Sequence, residues 1–233
     1  MVKLDGVICD CCRKRIRIGK SDNYFDICES CQKDATVVDN FDQIYDMMIF
    51  DDPNTFYWVQ VIGRKKDNPE TGVNRVRAEF IIHSIEQLQR LKPELIKLSR
   101  DYNARVVFWV NRRDLKELAI PMAKLTLSYM ESQQFNALPK VFQRVCGQQH
   151  KKGIKTLYIV DVDIKNETYL NKVVGIIKEC GKCEIEQLIP TVKGFHIICT
   201  VFNVALFDMK TDEAGLGKID VHKDNPTLLY YCP

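Results

Sequence analysis

Residues 55–62, Thr-Phe-Tyr-Trp-Val-Gln-Val-Ile, are almost entirely aromatic or β-branched, the composition of a strand. The strand closes on a basic turn, Gly63-Arg64-Lys65-Lys66-Asp67-Asn68-Pro69. A second strand over about 75–83 can pair with it as a hairpin. Ser84 followed by Gln87 is a capping box, and Ile85, Leu88, Leu91, Leu95 and Leu98 then recur at helical spacing, with Pro93 predicted to kink or restart that helix. Ala104–Val110 is another apolar strand, running into Asn111-Arg112-Arg113. Helices are expected at about 114–131, with a kink at Pro121, and at 136–146.

A polar, basic stretch from Gly147 to Gly153 precedes the most distinctive run in the chain, Leu157-Tyr158-Ile159-Val160-Asp161-Val162-Asp163. After it, Leu170, Val173, Val174, Ile177 and Cys180 carry helical spacing, and strands are expected at 184–189 and 195–201 around the turn Pro190–Gly194. A short helix over 203–209, a polar loop over 211–217 and a strand over 226–231 complete the pattern. From residue 156 onward the order is β-α-β-β-α-β, the split arrangement of ferredoxin-like and RNA-recognition-like sheets. The predicted fold class is α+β: an RNA-recognition-like catalytic sheet, a further N-terminal αβ unit and a small zinc-binding module. Residues 1–35 would form the zinc module and 36–52 an acidic connector. Residues 53–233 would form the main domain, as an N-terminal αβ unit over 53–150 and the RNA-recognition-like unit over 151–233.

Composition narrows the picture only a little. Among 233 residues, 34 Lys and Arg stand against 31 Asp and Glu, a net charge of +3, so a basic surface requires local clustering. The N-terminus lacks the apolar run of a signal peptide, and no apolar stretch is long enough to span a bilayer, so no membrane partner is expected. Ten cysteines without such a signal point to the cytoplasm, where clustered cysteines usually bind metal. Five of them lie in the first 33 residues: Cys9, Cys11, Cys12, Cys28 and Cys31. Cys9-x2-Cys12 and Cys28-x2-Cys31 have the spacing of a four-cysteine structural zinc site, in which each turn aims two thiolates at one tetrahedral ion. A register using Cys11, a redox dithiol and free thiols are the competing readings.

The second candidate chemistry is the Asp161-x-Asp163 pair. Alternate residues of a strand share a face, so both carboxylates project together at the end of an apolar strand. Like charges held that close call for a cation or a shared proton, unless the strand simply runs into solvent. Thr191-Val192-Lys193-Gly194-Phe195-His196 sets a single histidine among apolar neighbours, just after a lysine and a glycine suited to phosphate approach. His196 could equally be a core histidine bonded to a carbonyl. Ile219-Asp220-Val221-His222 offers a third carboxylate, with Asp208, Asp212 and Asp224 as rivals and exposure to solvent as the alternative. Arg64, Lys65 and Lys66, with Arg75 and Arg77, suggest a template-binding hairpin, and Arg112 and Arg113 at a strand end are a similar nucleic-acid candidate. Charged turns of this kind are most often merely solvated. Cys180-x2-Cys183 has no partner pair in the sequence and reads as free thiols.

Taken in order, Asp161-Val-Asp163, Thr191-x-x-Gly194-x-His196 and the acid Asp220 after a short apolar residue resemble the three motifs of the archaeo-eukaryotic primase superfamily. Those motifs are hydrophobic-Asp-hydrophobic-Asp, a Ser/Thr-x-x-Gly-x-His strand and hydrophobic-Asp, carried on an RNA-recognition-like sheet. The resemblance covers about residues 156–231, with threonine at 191 where serine is commoner. It implies a metal-dependent nucleotidyltransferase that makes or extends primers, with single-stranded DNA as template and nucleoside triphosphates as substrates; such an enzyme would either work with a separate replicative helicase or act as a small phage- or plasmid-type primase. Asp161, Asp163 and Asp220 would hold magnesium or manganese, and Thr191, Lys193 and His196 would contact the triphosphate. A zinc module on Cys9, Cys12, Cys28 and Cys31 is common beside such cores. Two other functions remain open on the same residues. One is a metal-dependent nuclease. The other is a non-catalytic, zinc-containing nucleic-acid-binding protein.

Overall fold

The structure, a computed structural model, describes residues 37–148 and 156–232, together with the backbone of two short strands, β1 (Val7–Ile8) and β2 (Arg15–Ile16), which pair antiparallel. The cysteines expected to bind zinc, Cys9, Cys12, Cys28 and Cys31, lie outside the described residues. The described residues form an α+β structure on two larger antiparallel sheets. No helix among them is long and apolar enough to cross a membrane.

The first sheet has five strands in the order β3-β11-β6-β4-β5: β3 (Val38–Asp39), β4 (Thr55–Gly63), β5 (Arg75–Ile82), β6 (Arg105–Asp114) and β11 (Pro226–Tyr231). Alternation sorts its side chains. Tyr57, Val59, Val61, Val106, Phe108 and Val110 enter the central core, whereas Phe56 and Trp58 face the opposite side. Helices α1 (Phe41–Met47) and α2 (Ile85–Asp101) bury Phe41, Ile44, Leu88, Leu95 and Ile96 in that central core. Helices α3 (Leu115–Glu131) and α4 (Val141–Gln148) cover the other face through Leu118, Tyr129, Val141 and Val145. The expected capping box forms at α2. The Gln87 N–H donates to Ser84 Oγ at 3.1 Å, and Gln87 Oε1 accepts from the His83 N–H at 2.8 Å. α2 and α3 run on through Pro93 and Pro121. The helix expected over 136–146 divides into a 3-10 turn, Phe135–Lys140, and α4.

The second sheet has four strands in the order β10-β7-β9-β8: β7 (Leu157–Val162), β8 (Ile185–Pro190), β9 (Phe195–Thr200) and β10 (Asp220–His222). Helices α5 (Glu167–Glu179) and α6 (Val204–Glu213), each begun by an asparagine side chain that accepts from the third N–H onward, form the crossovers. They cover one sheet face, where Val160, Val162, Ile197 and Cys199 meet Leu170, Val173, Ile177 and Phe207. On the other face Ile159, Ile189 and Ile198 enter the central core, so this sheet packs against the five-stranded one.

Two expectations change. The strand over 226–231 forms, but it leaves the second sheet and inserts between β3 and β6 of the first; the fourth strand is the three-residue β10. β10 is too short and too polar to register as a strand by periodicity. Residues 36–52 are more than a connector, because Val38, Phe41, Ile44 and Met48 are buried. Asn40 donates from Nδ2 to the Pro190 and Leu228 carbonyls at 2.9 and 2.8 Å, one group in each sheet. The units expected over 53–150 and 151–233 therefore exchange a strand.

Arg113 secures that exchange. Its side chain has no exposed surface, and its guanidinium donates to Asp224 Oδ2 at 2.8 Å, to the Cys146 carbonyl at 2.7 Å and to the Asn111 carbonyl at 2.9 Å. Asp224 lies in the link between β10 and β11. Removing one member of a buried ion pair strands the other charge, at about 3–5 kcal/mol. Asp224→Ala is expected to lower the unfolding free energy by about that amount in urea titration; a variant as stable as the parent would show that the pair does not hold the link.

Candidate functional site at the seam between the sheets

Three of the residues singled out in the sequence stand in one row. Across the second sheet, Asp220 on β10 is the direct partner of Asp161 on β7, and Asp161 is the direct partner of His196 on β9. Directly opposed residues of antiparallel strands share a face. That face is the one turned from α5 and α6 toward the first sheet, since Ile159, two residues before Asp161, lies in the central core. His222, two residues after Asp220 and opposite Ile159, belongs to the same face.

His196 has a partner at each ring nitrogen. Nε2 stands 3.4 Å from Asp161 Oδ1, and Nδ1 lies 2.8 Å from the hydroxyl of Thr227, a fully buried residue of β11. The histidine thus joins the carboxylate of one sheet to the hydroxyl of the other. The Asp161 carboxyl is held below the ordinary aspartate range. Hydrogen bonding with the His196 ring is the largest cause; burial opposes it, and the imidazoles of His196 and His222 and the Arg64 guanidinium add favourable potential. Arg64 opens the basic turn after β4, so one of the predicted nucleic-acid contacts acts on the carboxylate row. Lys65 and Lys66, on the same turn, are exposed, as are Arg75 and Arg77.

The other two carboxylates are less enclosed. Asp163 is exposed, one residue beyond the end of β7. Asp220 is exposed, with Lys218 Nζ 3.6 Å from its Oδ1. Among the described residues no group of three or more His, Cys, Asp or Glu side chains is arranged to hold a metal ion: Asp161 and Asp220 are register partners, Asp163 lies beyond the strand end, and the three form no closed ligand set.

The Thr191–Gly194 turn joins β8 to β9. Thr191 N–H donates to the Gly194 carbonyl at 2.8 Å, and Thr191 Oγ1 accepts from the Gly194 N–H at 3.0 Å. The sequence suggested that Gly194 admits a phosphate. Its neighbour is instead the chain itself: a Cβ there would lie 1.8 Å from the Val162 carbonyl oxygen and 2.7 Å from the Ile164 nitrogen. The glycine lets the turn close against the end of β7, which holds Asp161. Lys193 is exposed on the turn. Beside it opens a cavity of about 260 Å³, bordered by Asn40, Gln43, Lys165, Thr191 and Phe195.

Arg112 and Arg113 leave the nucleic-acid set. Both are buried; Arg112 donates to the Ile49 carbonyl at 3.1 Å and pairs with Asp51, while Arg113 is engaged as described above. β6 extends four residues beyond the apolar run and carries them inward. Cys180 is a buried free thiol and Cys183 a half-buried one. Sequence reasoning did not find Thr227. It lies in an apolar strand of the other sheet, and a threonine there carries no signal of its own.

Two measurements check this geometry. Gly194→Ala is expected to destabilise the fold by at least about 1–3 kcal/mol, because the new methyl group meets backbone on both sides; unchanged urea unfolding would contradict the close approach. For Asp161 the folded-state carboxyl is more acidic than the unfolded one, so its ionisation contributes stability that is fully present above the unfolded value of about 3.9 and lost as pH falls through the folded value. The stability difference between the parent and Asp161→Asn should shift against the parent on acidification below about pH 4. A difference independent of pH down to the acid transition would rule out the depressed carboxyl.

Compared with protein-family models, with curated proteins and with solved structures, the chain matches none, and the functional reading rests on this site and on the motifs that carry it.

Proposed function

We propose that the chain is a metal-dependent, primase-like nucleotidyltransferase that makes or extends primers on single-stranded DNA. The observation that carries the reading is the row Asp220–Asp161–His196, three residues taken from separate sequence motifs and aligned on adjacent strands. The four-stranded order β10-β7-β9-β8, with its helices on one face and the row on the other, supports an RNA-recognition-like assignment for this unit. The motif order along the chain agrees with it.

The donor set fits a hard divalent cation. Asp161 remains ionised, and Asp220 and Asp163 offer further carboxylate oxygens on exposed side chains that can turn toward it. Magnesium or manganese bound there would supply charge neutralisation at the triphosphate and activation of the attacking hydroxyl. The chain's own residues do the rest. In this reading Asp161 is oriented by His196, and Lys193 and Lys165 would add positive charge for the triphosphate at the Thr191–Gly194 turn. Lys65 and Lys66, on the turn that brings Arg64 toward the row, form the surface proposed to receive the template, with Arg75 and Arg77 on the neighbouring strand. Cys9, Cys12, Cys28 and Cys31 would hold a structural zinc ion, and a separate replicative helicase would supply the unwound template.

The test is primer synthesis by the full chain on single-stranded DNA with nucleoside triphosphates and magnesium or manganese. Asp161→Ala and His196→Ala are expected to reduce it by about a hundredfold or more, whereas Asp208→Ala, on the exposed face of α6, leaves it unchanged. Labelled DNA incubated without nucleotides distinguishes a nuclease, which shortens the strand. Absence of incorporation by the folded protein with either metal would sink the proposal.

A further inference from the structure

We infer that Thr227 is a positioning residue for His196, and that the five-stranded sheet thereby sets the orientation of a group on the four-stranded one. The inference rests on the proposed nucleotidyl-transfer site for its functional meaning, although its structural content stands apart from any activity.

An imidazole attached through two rotatable bonds is held only if its ring nitrogens are engaged or its faces are packed. In His196 both nitrogens have partners of unlike kind. The carboxylate of Asp161, 3.4 Å from Nε2, accepts only, so it favours a ring with the proton on Nε2. In the neutral ring Nδ1 then carries the lone pair, and the Thr227 hydroxyl, which both donates and accepts, donates to it at 2.8 Å. Thr227 is fully buried, so no water competes for that hydroxyl. Its backbone is fixed as well, because β11 pairs with β6 at Thr227–Phe108. The acceptor-only carboxylate therefore favours the tautomer that presents Nε2–H, and the hydroxyl, donating to Nδ1, reinforces that choice and holds the ring plane. A residue acting through another in this way typically contributes about 10–100-fold to the function of the group it orients.

The alternative is that Thr227 merely fills space at the seam. Three variants of the full chain separate the two: Thr227→Val keeps the volume and removes the hydroxyl, Thr227→Ala removes it by another route, and Thr227→Ser restores it. The first readout is the ¹⁵N pattern of the His196 ring in long-range proton–nitrogen spectra, assigned by comparison with His196→Gln and taken with the ring neutral. The parent and Thr227→Ser should show the Nε2–H tautomer, and the hydroxyl-free variants a mixture. A parent with Nδ1–H would overturn the inference without any variant, as would a hydroxyl-free variant with the parent's ring pattern. The second readout is primer synthesis. Thr227→Val should lower the incorporation rate about tenfold, with recovery in Thr227→Ser. Equal rates in folded Val and Ser variants would likewise overturn the catalytic part. If the parent makes no primer, the proposed activity fails while the nitrogen spectra still decide the role of Thr227.

Discussion

The pairing of Arg113 with Asp224 is the constraint on which the site's geometry depends. A guanidinium with no exposed surface requires a carboxylate and carbonyls in fixed directions, and its carboxylate comes from the short link between β10 and β11. Asn111, two residues earlier on β6, adds to the same anchor. Its Nδ2 reaches Asp224 Oδ1 at 3.2 Å and the Leu157 carbonyl at 3.0 Å, and its Oδ1 accepts from the Leu157 N–H at 2.8 Å. One strand of the first sheet thus holds both the start of β7 and the departure from β10. The position of Asp220 opposite Asp161 and of Thr227 opposite the His196 ring follow from that anchorage.

The site consequently belongs to neither sheet alone. β7, β9 and β10 supply the row, β11 supplies the hydroxyl behind His196, and the turn after β4 brings Arg64 within electrostatic reach. A hydrogen bond across two packed sheets tolerates little relative movement, because protein interiors pack at crystal-like density and shift as units. Asn40 adds a second bridge by donating to both Pro190 and Leu228, close to the Thr191–Gly194 turn. The rigidity needed to orient one imidazole is distributed over residues far apart in the chain.

Much of this was legible in the sequence where a local pattern carried it. Ser84 and Gln87 marked the start of α2, and the alternation around Asp161 placed it at the end of a strand. What the sequence concealed was pairing between distant segments. Residues 226–231 read correctly as a strand, but nothing local reveals which of two sheets accepts it. The three residues of β10 are too few for periodicity, so Asp220 was visible as a motif and not as a strand partner. Arg112 and Arg113 misled for the opposite reason: an arginine pair after an apolar run looks solvated, and burial depends on Asp51 and Asp224, residues about 60 and 110 positions away. Gly194 was singled out correctly as a close-approach position, yet the group it admits is the Val162 carbonyl.

The electrostatics of the row argue against a purely structural role for it. Two carboxylates directly opposed on neighbouring strands destabilise a sheet, and a neutral pair such as two threonines would strengthen it. The fold instead surrounds the pair with His196, His222 and Arg64 on the Asp161 side and with Lys218 beside Asp220. Such compensation holds Asp161 ionised while leaving Asp220 and Asp163 open to solvent, where their charges can still be recruited. The proposed cation site would use that asymmetry, with one carboxylate held in place and the others free to close on the ion.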